Sequence, residues 1–524
     1  MKKHKWTFMV YMAGDNGRIF DDGMRLMADL QAYGWRDLKE MSAVGSTADV
    51  AVVAQYDTLD EQQYTPRFYI DGKSETGRLE QTIAPVNTGD PKNLTDFIVW
   101  AETNYPAEQY ALVLWNHGTG WKEDDIYARY RDARQEDSKR SMDKREKMLR
   151  RALFLPTAGQ IMSVQDDEVR AICFDDTSLD FLDNQQMVQA IKDAEKQTKQ
   201  RLSVLGMDAC LMGMVEVAYA VRGCADFMVG SQEVELASGW PYEKILAQLA
   251  GEPKMSPRAL SQHIVTAFGE HYTTQSRSGG GKNTQSAINL GVMDETFAQL
   301  RHLSAKVATV YNKDIYARDA VTRAKQRVQS FDDADYVDLR HLATLLRDEY
   351  AGGEGIAELA DGVVTHLANG TEAAPIAGNF RGSGRPNAHG LSIYLPGTGL
   401  SPFYERQAFA LSGWNRVIRQ ANGVVATAFV ATKAVIGEEA ANAADVREIE
   451  CPICETKLVV PTNVAEMGET TATKGVWDAL TQIATQIQQA LASPTAEANE
   501  WLDLPCPHCK HTFVYNVETG ETKR

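Results

Sequence analysis

The sequence predicts an α/β protein built on a mostly parallel β-sheet flanked by helices. Short apolar runs alternate with helix-period segments through the first half of the chain, the pattern of strands joined by helical crossovers. Those runs are apolar at consecutive positions, as expected of strands covered on both faces. The composition, 44% hydrophobic and 24% charged, is that of a folded chain. At 524 residues two or three domains are expected.

The first run, Trp6–Ala13, stops at the turn-forming Gly14-Asp15-Asn16-Gly17. It is too short for a signal-peptide core with a cleavage site and reads as a strand. Val50–Tyr56, Tyr110–Trp115, Leu202–Met207 and Phe227–Gly230 read as further strands. Asn93–Asn104, Asn184–Lys199, Met212–Arg222 and Tyr242–Leu249 carry helical spacing. Ser286–Val292 and His389–Leu395 are later strands, the second ended by Pro396-Gly397, and the interval between them is mostly helical in pattern. Residues 122–170 break the rhythm, and within them 129–151 holds ten basic and five acidic residues. Residues 421–449 are Ala/Val-rich and read as a connector between a 1–420 body and a Cys-bearing 450–524 tail. The tail contains an amphipathic segment at Gly475–Ala492.

Lys plus Arg number 54 against 71 Asp plus Glu, a formal charge of −17. Such a chain repels phosphate backbones, so no nucleic-acid partner is expected, whereas basic side chains are drawn to it. No run approaches the ~20 apolar residues of a membrane span, so no membrane partner is expected either. Seven cysteines, four of them in two CxxC pairs, suit a reducing, cytoplasmic setting better than a disulfide framework.

In an open parallel sheet, ligands bind beyond the carboxyl ends of the strands. Two reactive side chains follow such ends: Tyr110–Trp115 leads into Asn116-His117-Gly118, and Leu202–Met207 leads into Asp208-Ala209-Cys210. A thiol becomes a nucleophile as the thiolate, which a nearby histidine and a helix start at Cys210 would both favour. The N–H groups of Gly118 and Cys210 could form an oxyanion hole, and His117 could protonate the leaving amine. Each residue also has a plainer reading. Cys210 alone fits a buried apolar residue, and His117 alone fits a loop.

These stretches, with Trp6–Asn16, Asn87–Pro91, Gly239-Trp240-Pro241-Tyr242 and His389–Pro396, resemble the clostripain family of cysteine peptidases, within the caspase-like group. The likeness runs from about residue 5 to 420. It implies a caspase-like sheet, an endopeptidase acting through a His–Cys dyad at His117 and Cys210, and cleavage after Arg or Lys. It also implies activation by cleavage between the two residues. Asp208 matches the acid taken to receive a basic P1 side chain, although an N-cap role is the alternative. A second acid common in relatives just before Gly-Trp-Pro-Tyr is Ser238 here, with Glu233 and Glu235 nearby. Protein or peptide substrates with basic residues are therefore expected, and Arg129–Arg151 offers sites for self-cleavage. A solvated charged helix is the plainer reading of that stretch.

Cys451-Pro-Ile-Cys454 and Cys506-Pro-His-Cys509 can present four thiolates to one structural zinc, a zinc-ribbon-like module with a helical insertion. This tail lies outside the resemblance and its task is open, with recruitment of a protein partner or of a substrate as one reading. Asp332, Asp333, Asp335 and Asp338 lack EF-hand spacing; calcium, used by some relatives, is left open there, with solvated surface the favoured reading. Gly279–Thr284 fails the phosphate-loop pattern, and Cys173 and Cys224 read as buried thiols. The competing function is a non-catalytic caspase-like scaffold that binds partners through its tail.

Overall fold

The computed structural model describes residues 3–15, 19–20, 26–28, 30–58, 64–116, 172–175, 178, 180–236, 238–274, 281–311, 314–350, 355–368, 371–397, 399–401, 404 and 407–422, and in the C-terminal part 446–450, 457–461, 501–505, 512–516 and 522–523. His117, Gly118, all of 122–170, the Gly475–Ala492 segment and the four tail cysteines lie outside these residues.

Nine strands form one sheet: β1 (His4–Gly14), β2 (Val50–Thr58), β3 (Thr65–Tyr69), β4 (Arg78–Ile83), β5 (Ala107–Trp115), β6 (Leu202–Asp208), β7 (Ala225–Gly230), β8 (Thr284–Asn289) and β9 (Ile376–Arg381). Their order is β9-β8-β7-β6-β5-β1-β2-β3-β4. The central five, β7-β6-β5-β1-β2, are parallel, and both wings are antiparallel. The wings follow from their sequences. Exposed β4 reads Arg-Leu-Glu-Gln-Thr-Ile, a polar edge that discourages further pairing.

Both faces of the centre are buried, which explains the unbroken apolar runs. Trp6, Phe8, Val10 and Met12 of β1 pack in one cluster with α1 (Leu30–Val44), through Leu38 and Met41. The same cluster takes Ile245, Leu246 and Leu249 of a helix at Tyr242–Gly251 and Leu260, Ile264 and Phe268 of one at Pro257–Thr274. Helix α2 (Pro91–Asn104) starts at an Asp90 N-cap, with Pro91 in its first turn where no N–H is needed. It packs on α3 (Asn184–Thr198), which opens with a capping box between Asp183 and Gln186.

Several sequence expectations shift. Helical structure after Cys210 begins at α4 (Val215–Val221), not at Met212. The Ser286–Val292 strand ends at Asn289 and continues as a 3-10 turn. Within His389–Leu395 only Ser392–Tyr394 is a strand, and it pairs with Tyr336–Asp338 outside the main sheet. The acids read as solvated surface divide: Asp333 and Asp338 are buried, and Asp338 caps the helix at Leu339–Glu349 by accepting from His341 N–H at 2.7 Å. Cys173 and Cys224 are buried thiols, as expected.

The chain divides into two compact units, Met1–Gly397 with Phe403–Trp414, and Thr398–Pro402 with Asn415–Arg524. In the second, Val446–Glu450 pairs antiparallel with Lys457–Pro461, and Trp501–Pro505 with Thr512–Asn516. Among the described residues no helix is long and apolar enough to cross a membrane.

Candidate active site

The ends of β5 and β6 lie side by side. Trp115 stands opposite Asp208, and the ladder extends one step further as Asn116 N–H donates to Asp208 O at 3.3 Å. Asn116 Nδ2 donates to Ala13 O at the end of β1. The residue before His117 is thus tied to both neighbouring strands. Cys210 follows β6 by two residues on the same rim.

The loop carrying Cys210 is held by the segment after β7. Leu211, in the left-handed region at φ 60°, donates its N–H to Glu233 O at 3.1 Å, and Gly213 N–H donates to Ser231 O at 2.7 Å. A side chain at position 213 would stand 2.8 Å from the Ser231 carbonyl carbon, so this backbone approach requires glycine. Four residues separate Cys210 from the first residue of α4, a seven-residue helix with no side-chain cap. The expected help from a helix start at Cys210 is therefore lacking.

Cys210 is 7% exposed, and the backbone of Glu235 closes over it. Glu235 N–H donates to Sγ at 3.3 Å, and the thiol donates to Glu235 O at 3.7 Å. Burial, with the Glu235 carboxyl second, pushes the thiol up to about 12.

Asp208 is not a helix cap. It ends β6, is 5% exposed, and its Oδ2 accepts from Tyr242 Oη at 2.8 Å and Trp240 N–H at 3.2 Å. Its carboxyl meets that of Glu235, and burial raises Asp208 to about 6 and Glu235 well above the usual carboxylate range. Asp37 of α1 completes the group. Trp115 Nε1 donates to its Oδ2 at 2.8 Å, and burial, with Asp208 second, raises it as well. Gly239, at φ 57°, fits between them, because a Cβ there would stand 3.0 Å from Asp208 Oδ2 and 3.4 Å from Asp37 Oδ2.

Ser238 bonds Tyr272 Oη at 2.8 Å through its hydroxyl, and its carbonyl accepts from Arg36 Nη2 at 2.6 Å. Glu233, one candidate for the missing acid, is occupied: it pairs with Arg385 and accepts from Asp332 N–H at 2.9 Å. Glu233 and Glu235 are both buried rather than facing solvent. The sequence reading missed Asp37, although it shares the Gly34–Leu38–Met41 stripe of α1 and an acid on an apolar stripe is a signal. It also missed a second acid group on the same rim, Asp15, Asp57 and Asp175, whose carboxylate oxygens lie within 4.8 Å of one another. Burial raises Asp57 to about 8.

A family model described as the clostripain family matches residues 10–142 and 151–367. Clostripain of Hathewaya histolytica is 24% identical over 403 residues, which are 73% of this chain and 60% of that protein. The chain thus spans about 60% of that curated relative's length. Among solved structures, the secreted C11 cysteine protease "iotapain" of Bacteroides thetaiotaomicron aligns with TM-score 0.52 at 14% identity, over 79% of this chain and all of the other. A secreted C11 cysteine protease of the same organism in complex with an irreversible peptide inhibitor aligns with TM-score 0.51 at 17% identity, over 78% and 99%. The likeness shows a shared α/β fold with a large central sheet.

Proposed function

The chain belongs to the clostripain family, and on that premise we propose that it is a cysteine endopeptidase whose nucleophile is Cys210 and whose acid–base group is His117. The observation that carries this reading is the register of β5 and β6, whose carboxyl ends are level and lead within two residues to each member of the pair. In the reaction His117 takes the Cys210 proton and the thiolate attacks the scissile carbonyl. The N–H groups of Gly118 and Cys210 hold the oxyanion, and the imidazolium protonates the departing amine. Water then releases the acyl group.

A basic P1 side chain is the proposed specificity. Asp208 lies two residues from the nucleophile among further acids, and a carboxylate grips a guanidinium or ammonium through charge-assisted bonds. Ser238 contributes a hydroxyl at this edge, not a charge. Self-cleavage within Arg129–Arg151 is proposed from its basic composition; the family match breaks at 143–150, inside that stretch. For the tail we propose a structural zinc held by Cys451, Cys454, Cys506 and Cys509, in a module that recruits a protein partner. What supports the zinc is that each CxxC pair falls in sequence between two strands that pair antiparallel, the arrangement of zinc knuckles. Free buried thiols at Cys173 and Cys224 suit the proposed cytoplasmic setting.

A fluorogenic peptide panel varied at P1 tests the reading. Wild type should turn over Arg and Lys substrates and Cys210→Ala should not; equal turnover by the two proteins would refute it and restore the scaffold alternative.

A further inference from the structure

Two buried carboxyls beside a nucleophile are an unstable arrangement unless something neutral or cationic joins them. Asp208 and Glu235 touch through their carboxyl groups, and neither forms an ion pair among the described residues. Two buried carboxyls in contact do not both ionise, so the resting pair shares a proton. Gln285 Nε2 donates to Glu235 Oε1 at 3.0 Å. The cations around this group are engaged at its margin: Arg36 reaches Asp37 Oδ1 at 3.6 Å and Ser238 O, and Arg385 pairs with Glu233. The site is therefore built to accept positive charge from outside.

Glu235 also touches the chemistry by a second route. Its backbone N–H and C=O are the groups that close over Cys210 Sγ. A peptide carbonyl cannot reach the sulfur while both contacts stand. One residue thus joins the charge-reading pair to the cover of the nucleophile.

We propose, resting on the peptidase reading above, that Glu235 is a specificity-determining residue that couples recognition of a basic P1 side chain to uncovering of Cys210. A P1 guanidinium or ammonium replaces the shared proton between Asp208 and Glu235, which passes to solvent, both carboxylates turn to grip the cation, and the Glu235 backbone leaves the sulfur. A neutral P1 side chain leaves the pair closed. Selectivity then falls more on kcat than on KM, because the wrong substrate binds without exposing the thiol.

The test uses the whole chain and two readouts. Alkylation of Cys210 by iodoacetamide is followed by peptide mass spectrometry, with and without agmatine, a guanidinium the length of an arginine side chain, and with an uncharged urea analogue as control. Agmatine should speed labelling of wild type at least about tenfold and the urea should not, as a charge-assisted contact is worth roughly that factor. Glu235→Gln keeps the resting contact but cannot ionise. It should lose the agmatine response and lower the Arg-over-citrulline ratio in kcat/KM by about 10- to 100-fold. Glu235→Asp should restore part of the ratio. Wild type that ignores agmatine, or Glu235→Gln that still prefers Arg as strongly as wild type does, overturns this proposal alone. Wild type that cleaves after citrulline as readily as after arginine overturns the P1 reading and this proposal together.

Discussion

At the scale of single residues, burial makes the acids around Cys210 hold their protons more tightly. Asp37 shows this most simply, because its raised affinity for a proton leaves a carboxyl that an amide can imitate. Asp37→Asn should keep the bond from Trp115 and change stability at neutral pH by less than about 1 kcal/mol. Asp37→Leu strands the buried indole N–H and should cost about 1–3 kcal/mol. Urea unfolding of both variants checks this, and equal losses would place the importance of Asp37 in its charge. Gly239→Ala forces an L residue into the left-handed region, about 1–2 kcal/mol, and presses on Asp208. That variant should lose stability and peptidase activity together; a melting curve and an assay matching wild type would show that the 239 backbone can relax. The strand ends that lead to His117 and Cys210 were legible in the sequence, because each closes a continuous apolar run. The cover over Cys210 was not, since it is made by backbone atoms 25 positions away and backbone carries no sequence signature.

Among elements, the five central strands were legible because continuous burial forces continuous apolar sequence, and β1, β5 and β6 lie where the runs predicted. Errors came where an apolar stretch is not a regular element. Leu211-Met212-Gly213-Met214 carries helical spacing but forms the loop that presents Cys210, its N–H groups bound to Glu233 and Ser231 rather than to a helical turn. Ser392–Tyr394 reads as another core strand but satisfies its backbone on Tyr336–Asp338 and on Gly213. The second case has a use, since Ser392 N–H donates to Gly213 O at 2.9 Å and braces the Cys210 loop from a third element. Gly213→Ala places a methyl against the backbone of 231–232 and should cost about 1–3 kcal/mol by overpacking. Denaturant unfolding checks the magnitude. A loss of activity larger than the loss of stability implies would mark the loop's exact path as the sensitive quantity.

For the molecule as a whole, buried carboxyls set the response to pH. Burial raises Asp57 to about 8, Glu102 and Glu216 to about 7, and Asp208 and Asp338 to about 6. Each binds its proton more tightly folded than unfolded, so its contribution is full below about pH 4 and is lost as pH rises through 6 to 8. Exposed acids paired with cations, such as Glu75 and Glu349, act in the opposite sense, but solvent and salt weaken them. Thermal melts should fall in midpoint between about pH 5.5 and about pH 8.5; a rising midpoint would mean that these acids ionise in the fold at little cost. The tail adds a separate expectation. Metal analysis of the purified chain should find one zinc, lost from Cys451→Ser with Cys506→Ser, and a zinc-free wild type would exclude the ribbon. The most direct test of the account is covalent: a peptidyl acyloxymethyl ketone with lysine at P1, followed by mass spectrometry of the digested protein. The account predicts one adduct, on Cys210, absent from Cys210→Ala and strongly diminished in His117→Ala. An adduct on another cysteine, or undiminished labelling of Cys210 without His117, would contradict it.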